Sequence, residues 1–203
     1  MLNLSQKELK TLAALSTAIK IQDYLDSLPF NLEKKGETHM SPRRVLREKK
    51  AHCIEGALLA ATALWIQGEK PLIMDLTSAK GDDDHIVALY KKNGYWGAIS
   101  KTNHSCSRFR DPMYKTLREL ALSYFHEWFM NDTGEKTLRS YSKPLNIKKL
   151  GTDWITSEEE LWYVDSILDA LPHTSLVPEK NKKYIRKAGI FERKTGALVE
   201  WKR

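Results

Sequence analysis

The segment 51–67 constrains the fold more than any other part of the chain. Its run from Gly56 to Trp65 is apolar nearly all the way round a helical surface, which is typical of a helix that other elements cover on most sides. Gly68 follows as a helix stop. We therefore predict a buried central helix over 51–67.

Three strands are predicted directly after this helix, over 71–76, 85–90 and 95–100. The second and third are joined by Asn93-Gly94, the pair of residues that most strongly favours a two-residue hairpin turn. A buried helix followed by an antiparallel meander predicts an α+β fold.

Helical spacing predicts further helices over 5–27, 42–49, 114–129 and 157–171. The segments 28–40 and 130–152 are predicted to be irregular, and 185–201 to form a hairpin around Lys194-Thr195-Gly196. A length of 203 residues suits one domain. We divide it into N-terminal helices (1–50), a core (51–105), a helical region (106–175) and a basic segment with the hairpin (176–203).

Composition excludes several classes of protein. With 41% hydrophobic and 29% charged residues, the chain is neither disordered nor a membrane protein. No secretory signal is visible at the N-terminus, so a cytoplasmic location is expected. The net charge of +7 arises mainly in 43–50 and 180–187. We interpret these two basic segments as solvated surface. Binding of nucleic acid or an acidic partner is the minor alternative. The sequence carries no signal for the oligomeric state.

Cys53 is the candidate nucleophile. It lies near the start of the central helix, where the helix dipole stabilises a thiolate. Two cysteines without a CxxC pair do not indicate a zinc site. His85 follows 32 residues later at a predicted strand start, so the strand can bring its imidazole back to the thiol. Cys106 is interpreted as structural, with a regulatory pairing to Cys53 as the alternative.

The ordered stretches 52–57, 84–89 and 95–100 resemble the transglutaminase-like branch of the papain-type cysteine enzymes. In that superfamily a Cys begins a central helix, a His lies on a sheet strand, and an Asp follows a Trp on the next strand. The resemblance covers about residues 40–105. It implies a transglutaminase-like or papain-like core, in which a Cys-bearing helix packs on an antiparallel sheet, with additional helices. Papain-type proteases and arylamine N-acetyltransferases share this geometry.

This chain has Ser100 four residues after Trp96, where the family has Asp. Asn103 is slightly favoured over Ser100 as the residue that orients His85, since papain-type enzymes use Asn in this role. Asp75 is a further alternative. Candidate substrate-binding residues are Trp96, Asp84 and Arg108, for which core packing or solvation is the competing explanation.

His52 adjoins the nucleophile, but neighbouring residues of a helix point about 100° apart, so it is expected to face elsewhere. The run Asp82-Asp83-Asp84 is interpreted as a solvated acidic loop and not as a metal site. We expect no metal or other cofactor.

The predicted function is a cysteine amidase or peptidase acting through a thioester on a peptide or amide substrate. Acyl transfer in place of hydrolysis is an alternative reaction. The alternatives are a catalytically impaired binding module on the same fold and a basic protein that binds nucleic acid or an acidic partner. No membrane partner is expected.

Overall fold

The computed structural model describes residues 2–34 and 36–202, so Lys35 of the predicted 28–40 loop lies outside the described residues. The fold is α+β, as predicted. The helices are α1 (Gln6–Ala14), α2 (Ala18–Ser27), α3 (Pro42–Glu48), α4 (Cys53–Ile66), α5 (Leu117–Leu122), α6 (Trp162–Asp169) and α7 (Ile190–Gly196). The strands are β1 (Leu72–Ser78), β2 (His85–Lys92), β3 (Tyr95–Ile99), β4 (Arg110–Tyr114), β5 (Leu138–Ser142), β6 (Leu145–Asn146) and β7 (His173–Ser175).

Helix α4 is the central element of one layer. Every residue from Ile54 to Leu64 is buried, which confirms the prediction from its continuous apolar surface. The helix packs chiefly on β2, and α1, α2 and α3 cover its other sides. It ends at Ile66 with Gln67 as its C-cap, and Gly68 follows with a positive φ of 86°, a conformation that glycine adopts without steric cost.

The strands form one antiparallel sheet in the order β4-β3-β2-β1-β5-β7, and β6 also pairs with β1. The predicted β2–β3 hairpin is present, with positive φ at Asn93 and Gly94, as a type I′ turn requires. Pairing of Leu76 with His85 fixes where β2 begins relative to β1. The predicted meander is therefore confirmed.

The two faces of the sheet bury two separate apolar clusters. Along β2, Ile86 and Ala88 point to the α4 side, whereas Val87 and Leu89 point to the other side, where α5 packs. Residues on a strand alternate between faces, so a strand buried on both sides contains no polar positions in its centre. This explains the uninterrupted apolar run after His85.

The single helix predicted over 5–27 is wrong, because two helices are present. The Thr17 hydroxyl accepts a hydrogen bond from the Lys20 N–H at 3.2 Å and starts α2 as a new helix. The irregular segment predicted over 130–152 contains β5 and β6. The region predicted as helical over 106–175 is mixed, since it also contains β4 and β7.

The helix predicted over 114–129 is much shorter in the structure. Tyr114 ends β4, Thr116 caps α5, and a 3-10 turn at Phe125–Glu127 follows. The helix predicted over 157–171 is likewise shorter in the structure, where it is present only as α6. The C-terminal hairpin is replaced by α7, whose start is held by a 2.5 Å hydrogen bond from the Gly189 N–H to the Glu192 carboxylate.

Among the described residues, no helix combines the length and the apolar character needed to cross a bilayer.

Candidate active site

Cys53 is the first residue of α4 and is half-buried. Helix N-termini carry unpaired N–H groups and a partial positive charge, both of which favour an anion. The thiol faces a cleft of about 1010 Å³. The sequence prediction that Cys53 lies in the first helical turn is confirmed.

His85 begins β2, is buried, and lines the same cleft. Its Nε2 lies 2.7 Å from the Ser100 hydroxyl, which itself donates a hydrogen bond to the Ser107 carbonyl at 2.6 Å. Because the hydroxyl proton is used on that carbonyl, the Ser100 oxygen accepts from an Nε2–H of His85. The Nδ1 of His85 is then left as the free nitrogen.

His52 also lies beside the thiol, contrary to the sequence-based expectation. Its Nδ1 is 3.8 Å from Cys53 Sγ, and its Nε2 donates to the Thr38 carbonyl at 2.6 Å. The helical rotation rule does not apply, because His52 is the residue before the helix and has extended backbone angles (φ −105°, ψ −166°).

Glu55 lies under His52 and is fully buried. Its carboxylate accepts hydrogen bonds from the N–H groups of His52 at 2.9 Å and Met40 at 3.1 Å, from the Thr38 hydroxyl at 2.8 Å, and from the Asn31 side chain. Burial raises the pKa of Glu55, but the bonds and charge of His52 outweigh it and lower that pKa. Glu55 is therefore a buried anion that balances a charge on His52.

These neighbours set the ionisation of the thiol. Burial raises the pKa of Cys53, yet hydrogen bonding and positive charge from His52 and His85 outweigh it and lower that pKa to about 5. Burial lowers the pKa of His52, but the Cys53 thiolate and Glu55 raise it to about 11. At neutral pH the site holds a thiolate beside an imidazolium, the form in which cysteine is nucleophilic.

A close approach between α4 and the segment after β3 positions Ser100. A Cβ added to Gly56 would lie 2.5 Å from the Lys101 Cβ, so only glycine permits this packing. The Gln22 side chain brackets Ser100 by bonding both its N–H and its carbonyl, at 3.0 and 2.8 Å. The buried Lys101 ammonium donates to the carbonyls of Leu25 and Leu28 at 2.9 and 2.5 Å.

The structure does not support the preference for Asn103 over Ser100 as the partner of His85. The Asn103 side chain bonds both the N–H and the carbonyl of Trp201, at 2.8 and 2.9 Å, and so holds the C-terminal segment. Asp75 does not reach His85 either, because its carboxylate contacts His173 at 3.2 Å. Ser100, at the position predicted from Trp96, makes the contact.

The three candidate substrate-binding residues differ in placement. Asp84 lines the cleft directly before His85. Trp96 packs against the apolar cluster on the α5 side, with the Lys91 ammonium 4.8 Å from its ring centroid. Arg108 pairs with Glu200 at 2.9 Å. Neither Trp96 nor Arg108 lines the cleft, so their predicted contact with substrate is not supported.

Other residues of the cleft wall were not predicted. The rings of His39 and Trp162 are in contact, with centroids 3.9 Å apart and planes tilted by 37°, and both residues line the cleft. Cys106 also lines it as a free thiol, and burial raises the pKa of Cys106. No sequence signal connected α6 to the site, because the approach of Trp162 to residue 39 is a long-range contact.

The basic segment 43–50 is largely neutralised within the fold. Arg43 pairs with Glu8 at 2.9 Å, Arg44 with Glu160 at 2.7 Å, and Arg47 with Glu158 at 2.9 Å. Positive side chains that are already paired have less attraction for phosphates. This placement gives no support to a nucleic-acid surface at α3.

Compared with known proteins, the chain matches no protein-family model and no curated protein sequence.

Proposed function

We propose that this protein is a transglutaminase-like cysteine enzyme that acts on an amide or acyl bond through a thioester. The observation that carries the proposal is the Cys53 thiol at a helix N-terminus, beside two imidazoles and open to a large cleft. The order of a Cys-bearing helix, a His-bearing strand and a strand ending in the His85 partner Ser100 supports a transglutaminase-like, papain-like core.

In the first half-reaction, the Cys53 thiolate attacks the carbonyl carbon of an amide. His52, whose charge Glu55 balances, remains a fixed cation beside the sulfur. The proton released when the Cys53 thiolate forms is therefore carried by His85. The negative oxygen of the tetrahedral intermediate is held by the Cys53 N–H, which bonds no other described residue. The C–N bond breaks as His85 protonates the departing amine, leaving a thioester.

In the second half-reaction, a water molecule attacks the thioester carbonyl and gives a proton to His85. The C–S bond then breaks, the acid leaves, and the thiolate returns. An amine in place of water gives acyl transfer. Hydrolysis is ranked first, as it is the commoner outcome for small proteins of the superfamily that the sequence resembles.

The proposal is tested with a mixed peptide library and mass spectrometry of the products. We expect cleaved peptides from the wild type and from Cys106→Ser, and none from Cys53→Ser. Cys106→Ser is the matched control, because it removes the other thiol of the same cleft. Equal cleavage by Cys53→Ser and wild type would overturn the proposal.

A binding module with the same fold is the second candidate, favoured by one observation. A serine hydroxyl takes the place of a carboxylate beside His85, and it gives less stabilisation to an imidazolium. Peptide binding by Cys53→Ser, combined with no turnover by the wild type, would select this candidate over the enzyme.

A further inference from the structure

A second hollow, of about 380 Å³, adjoins the Cys53 cleft. It lies between β1, the loop before β2, and α6. Six aspartates line it: Asp75, Asp82, Asp83, Asp84, Asp165 and Asp169. The three loop aspartates and Asp165 line the cleft as well, so the two spaces meet along a shared acidic wall.

Among the residues that the structure describes, no Lys or Arg pairs with these carboxylates. Within residues 2–34 and 36–202, none of the six has a Lys or Arg nitrogen within 4.0 Å. Their charged partners are histidines, His173 at 3.2 Å from Asp75 and His39 at 3.9 Å from Asp165. Lys80 also lines the hollow but pairs with none of them. In a chain of net charge +7, the negative field is concentrated beside the candidate nucleophile.

Asp75 supplies a second, independent observation that points to a ligand. Its side chain is 2% exposed, and its Oδ1 has no hydrogen-bond partner in the described part of the chain, although buried polar atoms are nearly always paired. Burial raises the pKa of Asp75 to about 7; the bond from His173 opposes this shift, and the charge of Asp84 adds to it. A cation that enters the hollow would satisfy this oxygen and relieve the repulsion among the carboxylates.

The arrangement suits an organic cation better than a metal ion. A divalent ion requires several oxygens converging at about 2.0–2.6 Å, and no group of three or more metal-ligating side chains among the described residues is so arranged. An ammonium or guanidinium group donates several hydrogen bonds to carboxylates that are further apart. Its aliphatic chain can also reach from the cleft into the hollow.

We propose that the acidic hollow is a specificity pocket for a Lys or Arg side chain of the substrate held at Cys53. This inference rests on the proposed function, because it assigns the substrate class of the same site. Asp75 and Asp169, which lie in the hollow but not in the cleft, would bind the cationic head. Asp82, Asp83 and Asp84, in the loop before β2, would attract the positive charge of that side chain where it enters the hollow from the cleft.

The test measures kcat/KM for two peptide sets that differ only in charge. One set carries Lys or Arg at each position flanking the cleaved bond, and the other carries norleucine or citrulline there. We expect the best cationic peptide to be preferred over its neutral match by about 10- to 100-fold, the range for a charged hydrogen bond in a buried site. Equal values for both sets would overturn the inference.

Substitutions of the aspartates test whether the preference for cationic peptides arises in the hollow. Asp75→Asn should abolish most of the preference, and Asp169→Asn, at an exposed position, should reduce it by about 3-fold, as screening weakens exposed pairs. For each variant, the preference is the ratio of kcat/KM for the cationic peptide to kcat/KM for its neutral match. Asp153→Asn is the matched control, as it removes an exposed carboxylate outside the hollow. A preference that persists in both hollow variants would overturn the inference.

The inference and the proposed function fail differently. Cleavage of neutral and cationic peptides at equal rates overturns the pocket and leaves the enzyme. If the wild type cleaves neither peptide set, the proposed enzymatic function is overturned, and the proposed substrate pocket with it. Stoichiometric retention of Ca²⁺ or Mg²⁺ that is lost in Asp75→Asn, without a preference for cationic peptides, would show a metal site instead.

Discussion

Replacing His52 with Gln should change how the rate of Cys53 alkylation depends on pH. The substitution removes a cation 3.8 Å from the sulfur. Two unit charges at that distance attract by about 4 kcal/mol at an effective dielectric constant of 20, and 1.36 kcal/mol corresponds to one pKa unit, so the pKa of Cys53 should rise to roughly 8. The wild-type value is about 5.

The two pH profiles should cross. At pH 6 the wild-type thiol is about 90% thiolate and the variant about 1%, but a thiolate of higher pKa is intrinsically more reactive, by roughly 20-fold for this change. The variant should therefore react about 4-fold more slowly than the wild type at pH 6. At pH 9.5, where both thiols are ionised, it should react about 20-fold faster.

The assay is iodoacetamide labelling followed by mass spectrometry, from pH 4.5 to 9.5, with Cys106→Ser as the background so that only Cys53 reacts. His126→Gln is the control, since His126 is exposed and does not line the cleft. A wild-type midpoint above pH 8 would refute the activated thiol. An unchanged midpoint in His52→Gln would refute the role of His52.

Four other substitutions separate the remaining roles. His85→Gln should lower peptide turnover by at least 100-fold while Cys53 remains reactive to iodoacetamide, because the proton carrier is lost but His52 is not; kcat and labelling measured together check this. Ser100→Ala should lower kcat by about 5- to 10-fold through loss of one hydrogen bond, whereas Asn103→Ala should leave kcat near wild type; a larger kcat effect from Asn103→Ala would contradict the observed pairing. Gly56→Ala should reduce the free energy of unfolding in urea by about 1–3 kcal/mol, because its Cβ would collide with Lys101; unchanged stability would contradict the close approach.

Elements with strong local patterns were predictable from the sequence. Helix α4 has no polar stripe, and the β2–β3 hairpin has its Asn-Gly turn, so both were predicted nearly to their ends. The break near Thr17 was missed because apolar residues keep helical spacing across it. Helix α7 was missed because Lys194-Thr195-Gly196 suits a hairpin turn as well as a helix end.

The site was partly predictable. Cys53, His85 and Ser100 follow from their order along the chain, but choosing Ser100 over Asn103 requires knowing that Asn103 holds the C-terminal segment. His52 was excluded by a helix rule that does not apply to the residue before a helix. The sequence did contain a signal for Glu55, because it is the only charged residue between Cys53 and Ile66. A charged side chain in a buried helix requires a polar partner, so its presence indicated that such a partner lies close to it.

Trapping of an acyl-enzyme tests the central claim most directly. The protein is mixed with a reactive ester of an acetylated Lys-containing peptide, quenched in acid within seconds, digested with pepsin and analysed by mass spectrometry. The account predicts an acyl group on Cys53 that hydroxylamine removes and that decays as free acid forms, more slowly in His85→Gln. Acylation of Cys106 or of surface lysines alone, with Cys53 unmodified, would contradict it.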